Sequence, residues 1–260
     1  MNRLSAILSA GTLFAAFGTP FLAGPVAQGM PLNAPRIRLA HSKSPTTKSY
    51  GWSSSNWSGY AVTSGAPYTS ITGNWIVPSV TSGHGSTYSS AWIGIDGFNN
   101  SDLIQTGTEQ DYYSGSAHYS AWWEILPAAE TVIPNFTIQP GDQMSASIKN
   151  DGNGDWTISL TDNTEGETFS TVQAYSGPGA SAEWILEAPT IGGHVATLAN
   201  YGQTTFNPGT VNGGNPGLLT SNGGVMIQKR QQVSTPSLPD SDTDGFNVAY
   251  GATAPAPPAS

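Results

Sequence analysis

Four segments of this 260-residue chain set carboxylates and one carboxamide among large aromatic residues. They are Trp92-Ile93-Gly94-Ile95-Asp96-Gly97, Leu103-Ile104-Gln105-Thr106-Gly107, Trp122-Trp123-Glu124 and Ala182-Glu183-Trp184-Ile185-Leu186-Glu187. Carboxylates take and return protons, and a carboxamide is a neutral hydrogen-bond donor. The residue types alone leave the target bond open. A sugar-binding face, or a glycoside hydrolase using Glu124 with Glu183, fits an aromatic groove as well. Other chemistries lack support. With no Cys there is no thiol nucleophile, redox pair or thiolate zinc site. His41, His84, His118 and His194 fall in loop-like or exposed contexts, and none accompanies a GxSxG elbow. No HExxH helix and no DxDxDG loop is identified, so neither a metal nor another cofactor is expected.

Such side chains need rigid elements to hold them, and the composition supplies strands. With 31 Gly and 19 Pro, abundant Ser, Thr, Tyr and Trp and few long helix formers, the chain suits short strands and turns. Candidate strands cover 58–62, 71–77, 89–95, 103–109, 119–126, 144–149, 156–162, 169–174, 181–186, 225–228 and 246–250. Alternation puts Glu183, Ile185 and Glu187 on one face, with Trp184 and Leu186 on the other. It likewise sets Ser120, Trp122 and Glu124 against Tyr119, Ala121, Trp123 and Ile125. Residues 207–224, dense in Gly, Asn and Pro, read as a long loop. No fixed-period repeat is visible. The expectation is one all-β domain, an antiparallel β-sandwich of two packed sheets.

Arg3 followed by an apolar, small-residue run over 4–22 reads as an export signal, residues 1–23. Residues 24–50 read as a basic propeptide or linker, 51–251 as the sandwich domain and 252–260 as an Ala/Pro-rich tail. The first 48 residues hold Arg3, Arg36, Arg38, Lys43 and Lys48 and no acidic residue, so the remainder carries three basic against 17 acidic residues, a formal −14. That balance argues against nucleic acid. It fits an acidic workplace, where protonating carboxylates relieves self-repulsion. A basic segment beside an acidic cleft suits an intramolecular inhibitor that leaves in acid. A secreted monomer with no membrane attachment after signal removal is expected. Its core, not disulfides, must hold the fold.

Five pieces in order carry a family resemblance: Asn56-Trp57-Ser58-Gly59, Ala91-Trp92-Ile93-Gly94-Ile95-Asp96-Gly97, Leu103-Ile104-Gln105-Thr106-Gly107, Tyr119-Ser120-Ala121-Trp122-Trp123-Glu124 and Ala182-Glu183-Trp184-Ile185-Leu186-Glu187. From about Asn56 to Tyr250 the chain resembles the glutamic peptidases of the eqolisin type, whose best-known members are fungal acid proteases. The resemblance implies an endopeptidase acting on proteins or peptides, on a concanavalin/lectin-like sandwich with a concave, solvent-accessible active face. It maps the family's QTG glutamine onto Gln105 and its catalytic glutamate onto Glu183, with Glu187 on the same face as the fallback. Glu183 would serve as general base and then acid, and Gln105 as oxyanion donor. Trp92 matches a tryptophan beside the pair, Trp122 joins the groove, and Asp96, Glu109 and Glu124 would line or support it. Ser120 stands where fungal members often have an acidic residue, and the disulfides of those enzymes are lacking.

Overall fold

The computed structural model describes residues 50–260. The expected signal, His41 and all but the last residue of the expected propeptide lie outside the described residues. Local sequence sets a run of strands: β1 (Trp52–Ser54), β2 (Trp57–Val62), β3 (Ser70–Ile76), β4 (Ser90–Asp96), β5 (Leu103–Tyr113), β6 (Ser116–Ile125), β7 (Thr131–Val132), β8 (Gln143–Gly152) and β9 (Asp155–Asp162). Then follow β10 (Glu167–Ala174), β11 (Ala182–Glu187), β12 (Thr190–Ile191), β13 (His194–Val195), β14 (Gln203–Val211), β15 (Gly223–Gln228), β16 (Gln231–Pro236) and β17 (Phe246–Tyr250). One 3₁₀ turn, Thr220–Asn222, precedes β15, and there is no α-helix among the described residues.

Hydrogen bonding runs β10-β9-β8-β3-β14-β17-β16-β15-β2-β11-β4-β5-β6-β7, with β1 beside β15 and β12–β13 a separate pair. All pairs along this path are antiparallel, whereas β1 joins β15 in parallel. The path folds over on itself as a β-sandwich, with β3 across β4, and β8 and β9 across β5. Ile71, Trp75, Ile148 and Ile158 from one layer meet Ile93, Ile104, Trp184 and Leu186 from the other in a fully buried core. Each such side chain contributes roughly 1.5–3 kcal/mol. Indole N–H groups tie the layers: Trp184 Nε1 donates to Thr72 O at 2.9 Å, and Trp75 Nε1 to Thr108 Oγ1 at 3.0 Å. Two glycines make the slot for Trp184. A Cβ on Gly73 would sit 2.8 Å from its Cδ1, and one on Gly209 would sit 2.6 Å from its Nε1.

Every expected strand is present, but the 207–224 loop is corrected. Its first part belongs to β14, which pairs with β3 and β17 through a register shift between Phe206 and Gly209. That shift absorbs Pro208, whose missing N–H otherwise argues against a strand. Strands β1 and β16 were not expected either. The tail of residues 252–260 is hydrogen-bonded to the domain: Asn247 Nδ2 donates to Ala256 O at 2.8 Å, and Asn207 Nδ2 to Ala259 O at 2.9 Å.

Candidate active site

Strands β2, β11, β4, β5 and β6 are neighbours, and their registers decide which side chains meet. Glu183 lies opposite Ala61 and Gly94, Gly94 opposite Gln105, and Gln105 opposite Glu124. Directly paired residues share a face. One row therefore reads Ala61, Glu183, Gly94, Gln105, Glu124 across five strands. Glu183 and Gln105 are two strand spacings apart, about 10 Å between Cα atoms. The one residue between them has no side chain. The space above Gly94 is taken by the Trp92 ring and Leu103: a Cβ on Gly94 would lie 2.8 Å from Trp92 Cζ3 and 3.1 Å from Leu103 Cδ1.

The next row along the strands is Gly59, Ile185, Trp92, Gly107, Trp122, and the third is Trp57, Glu187, Ser90, Glu109, Ser120. Trp57, Trp92, Leu103, Trp122 and Ile185 form a second apolar cluster on this face, with Trp52, Phe98 and Leu126 packed on it. Trp57 meets Trp92 edge-on at 4.9 Å. The expectation of a solvent-accessible face is corrected here, because Gln105, Glu124, Glu183 and Glu187 are each 0% exposed. Tryptophan cover of this extent leaves the carboxyls little contact with water.

Burial sets the electrostatics. Gln105 Nε2 donates to Glu124 Oε2 at 2.6 Å. Desolvation pushes the Glu124 carboxyl up to about 8, overriding the Gln105 hydrogen bond and reinforced by Glu109. Asp111 is held well above the carboxylate range, first by burial and then by Glu109, with which it shares a hydrogen bond. Two buried carboxyls two residues apart on β5 cannot both ionise cheaply. Glu187 is differently placed: its Oε2 accepts from Trp92 Nε1 at 2.9 Å and its Oε1 from Asn56 Nδ2 at 3.3 Å. Trp122 Nε1 is buried with no acceptor.

The expected residues fall into three groups. Gln105, Glu183 and Glu124 share the first row, and Trp92 and Trp122 border it. Glu109 and Glu187 sit two rows further, in the third row, where Glu187 aligns with Ser90 rather than Gln105. Asp96 is not brought to the row. At φ +73° it ends β4, and its carboxylate accepts from Tyr175 Oη at 2.7 Å, Gly179 N at 2.9 Å and Ala180 N at 2.8 Å. It thereby anchors the approach to β11, three residues before Glu183. Glu124 and Glu183 stand about 14 Å apart in Cα with Gln105 between them, and nothing in this arrangement favours the glycosidic reading. His118, expected in a loop-like or exposed setting, is half-buried on β6 and stacks on Tyr113 at 3.8 Å.

Two features escaped the sequence reading. Asp111 continues the period of two from Gln105 through Gly107 and Glu109, so alternation alone could have found it. The other is a correction. Asp240-Ser241-Asp242-Thr243-Asp244-Gly245 is a DxDxDG segment, and the three aspartates offer oxygens within 4.8 Å of one another.

Comparison with known proteins agrees with this fold. Residues 55–250 match the model of the Peptidase A4 family. Aspergillopepsin-2 of Aspergillus niger is 30% identical over 215 residues, 73% of this chain and 76% of that protein. Scytalidopepsin B of Scytalidium lignicola is 33% identical over 193 residues, 71% of this chain and 70% of that protein. Among solved structures, scytalido-glutamic peptidase with a transition state analog inhibitor superposes with a TM-score of 0.65 at 24% identity, covering 75% of this chain and 98% of that one. The fold, the family match across three quarters of the chain and these two relatives converge: the chain belongs to the Peptidase A4 family and is a glutamic-type endopeptidase of the eqolisin kind.

Proposed function

We propose that the protein is a secreted, acid-active endopeptidase in which Glu183 and Gln105 are the catalytic pair. The observation that carries this reading is their common row, with Gly94 between them and Glu124 behind Gln105. Ionised Glu183 takes a proton from a water as that water's oxygen bonds to the scissile carbonyl carbon. The carbonyl oxygen becomes an oxyanion and accepts a hydrogen bond from Gln105 Nε2. Glu183 then returns the proton to the amide nitrogen, the C–N bond breaks, and an acid and an amine leave.

Glu124 is a positioning residue in this scheme. It holds one Nε2 hydrogen of Gln105 and so aims the other at the oxyanion. With its carboxyl pushed up to about 8, it stays neutral through the acid range and adds no negative charge beside the developing oxyanion. Trp92 and Asn56 engage both oxygens of Glu187, which supports assigning it to the frame of the site and the reaction to Glu183. The buried N–H of Trp122 suits a substrate carbonyl. The basic residues at 36, 38, 43 and 48 suit a propeptide that covers this acidic face until acid protonates its partners.

Digestion of denatured haemoglobin at acidic pH tests the assignment. Gln105→Ala is expected to lower kcat about 10²–10³-fold, and Glu183→Gln about 10²–10⁴-fold. Glu187→Gln should retain far more activity than Glu183→Gln. Unchanged proteolysis in the first two variants removes the pair, and the reverse order of the two glutamates transfers the role to Glu187.

A further inference from the structure

The β16–β17 connection carries a group of carboxylates that the peptidase reading does not use. Asp240, Asp242 and Asp244 alternate along Asp240-Ser241-Asp242-Thr243-Asp244-Gly245, and one oxygen from each lies within 4.8 Å of the other two. Three like charges this close repel unless something positive joins them. No Lys, Arg or His among the described residues forms an ion pair with them.

The loop is also built to aim these groups. Asp240 is only 5% exposed, and its Oδ1 accepts the N–H groups of Asp244 and Gly245, both at 3.1 Å. Its Oδ2, like Asp244 Oδ1, is buried and receives no N–H or hydroxyl donor, and Asp240 faces the Asp242 carboxyl closely enough for the two to share a hydrogen bond. A buried carboxylate oxygen without a donor costs more than an ordinary lost hydrogen bond, and a cation between the carboxylates would satisfy it. The surrounding backbone is already committed. Asp242 O accepts from Asn215 Nδ2 at 2.7 Å, Thr243 O from Leu218 N at 2.8 Å, and Asp244 O from Gly209 N at 2.9 Å. The carboxylates are the groups left over. Gly245 is required beneath them, since a Cβ there would lie 2.5 Å from Asp240 Oδ2.

We infer that Asp240, Asp242 and Asp244 bind a divalent cation, calcium by preference, and so brace the β16–β17 loop. Oxygens held at about 2.3–2.6 Å from one calcium ion can be no more than about 5 Å apart, which is the spacing these carboxylates have. The D-x-D-x-D-G order is that of a calcium loop, in which alternate side chains converge and Gly turns the chain. Asp240 Oδ2 supplies the inner ligand, and exposed Asp242 closes the outer side. The loop fastens β17 to the connection over 212–222, so the ion joins segments distant in sequence without touching the Glu183 row. This site is independent of the catalytic assignment.

The test uses the full chain, stripped of metal with a chelator and held at pH 7. Titration calorimetry with CaCl2 should give one binding event, with a Kd on the order of 10⁻⁴–10⁻³ M as in extracellular calcium modules. At 10 mM CaCl2 the Tm should rise by several degrees. Asp242→Asn, at an exposed position that leaves the fold intact, should weaken binding at least tenfold and abolish most of the Tm rise. The inference is overturned by absence of binding heat and of a Tm rise in the native chain. It is equally overturned by an unchanged rise in Asp242→Asn, or by an equal rise with MgCl2, which would mean general charge screening.

Discussion

Strands β9 and β11 follow the same alternating rule and meet opposite environments. On β9, Trp156, Ile158 and Leu160 enter the core while Asp155, Thr157, Ser159 and Thr161 keep contact with water. On β11 all six residues are buried, Ala182, Trp184 and Leu186 in the core and Glu183, Ile185 and Glu187 beneath the second tryptophan cluster. Covering carboxyls on the outer face of a sheet opposes folding at neutral pH, because the charged forms lose their water. A sandwich needs only one buried face per sheet. On the proposed site assignment, the second buried face of the β2–β11–β4–β5–β6 region is stability given up for chemistry, and β9 shows what the same architecture does away from that face.

The largest consequence is a pH dependence opposite to ordinary acid denaturation. The carboxyls of Asp111, Glu124, Asp142, Asp240 and Asp244 are all raised, burial being the first cause in each. A raised carboxyl costs nothing below its unfolded value, where both states hold the proton. For Glu124 the unfolded chain gives up that proton from about 4.5, the folded chain only near 8, so stability falls across this window. The loss amounts to roughly 5 kcal/mol once complete. Urea denaturation at pH 4.5 and pH 8 should show Glu124→Gln more stable than the native chain at pH 8 and close to it at pH 4.5. An unchanged pH slope would mean that the outer face of this region is as wet as that of β9. Next in size is the inner face. Trp184→Ala should cost about 3–5 kcal/mol, equally at both pH values, because no titrating group replaces the indole between Gly73 and Gly209. A pH-dependent loss would show that the two faces are not separate layers.

Much of this arrangement is legible in the sequence. Alternation alone assigns Glu183 and Glu187 to one face and Trp184 to the other, and β5 and β6 follow the same rule. Register is not legible, since nothing local says that Gly94 stands between Glu183 and Gln105 while Glu187 aligns with Ser90. Nor is burial: a Glu on a strand ordinarily implies water, and only the tryptophans brought in from β2, β4 and β6 reverse that. Strand β14 was hidden by Asn207-Pro208-Gly209, a turn signal that a register shift accommodates within a sheet. The aspartate loop was not hidden: its spacing is plain in the chain, and no structure is needed to see Asp240, Asp242, Asp244 and Gly245 in order.

The smallest effect is the most direct comparison of the two outer faces. Val172 on β10 and Ile185 on β11 are both β-branched, both in strands and both directed away from the main core. Val172 is 60% exposed, and Val172→Thr exchanges a methyl for a hydroxyl that water satisfies, so its stability should stay within about 0.5 kcal/mol. Ile185 is 0% exposed between Gly59 and Trp92. There Thr removes apolar volume and buries a hydroxyl among tryptophans, which should cost about 2–3 kcal/mol. Thermal unfolding of the two variants at the same acidic pH isolates the cover itself, since neither residue titrates. Equal and small costs would mean that the tryptophans leave this face open to water. The raised carboxyl of Glu124 would then lose its physical cause, and with it the reason for Gln105 to face a neutral partner.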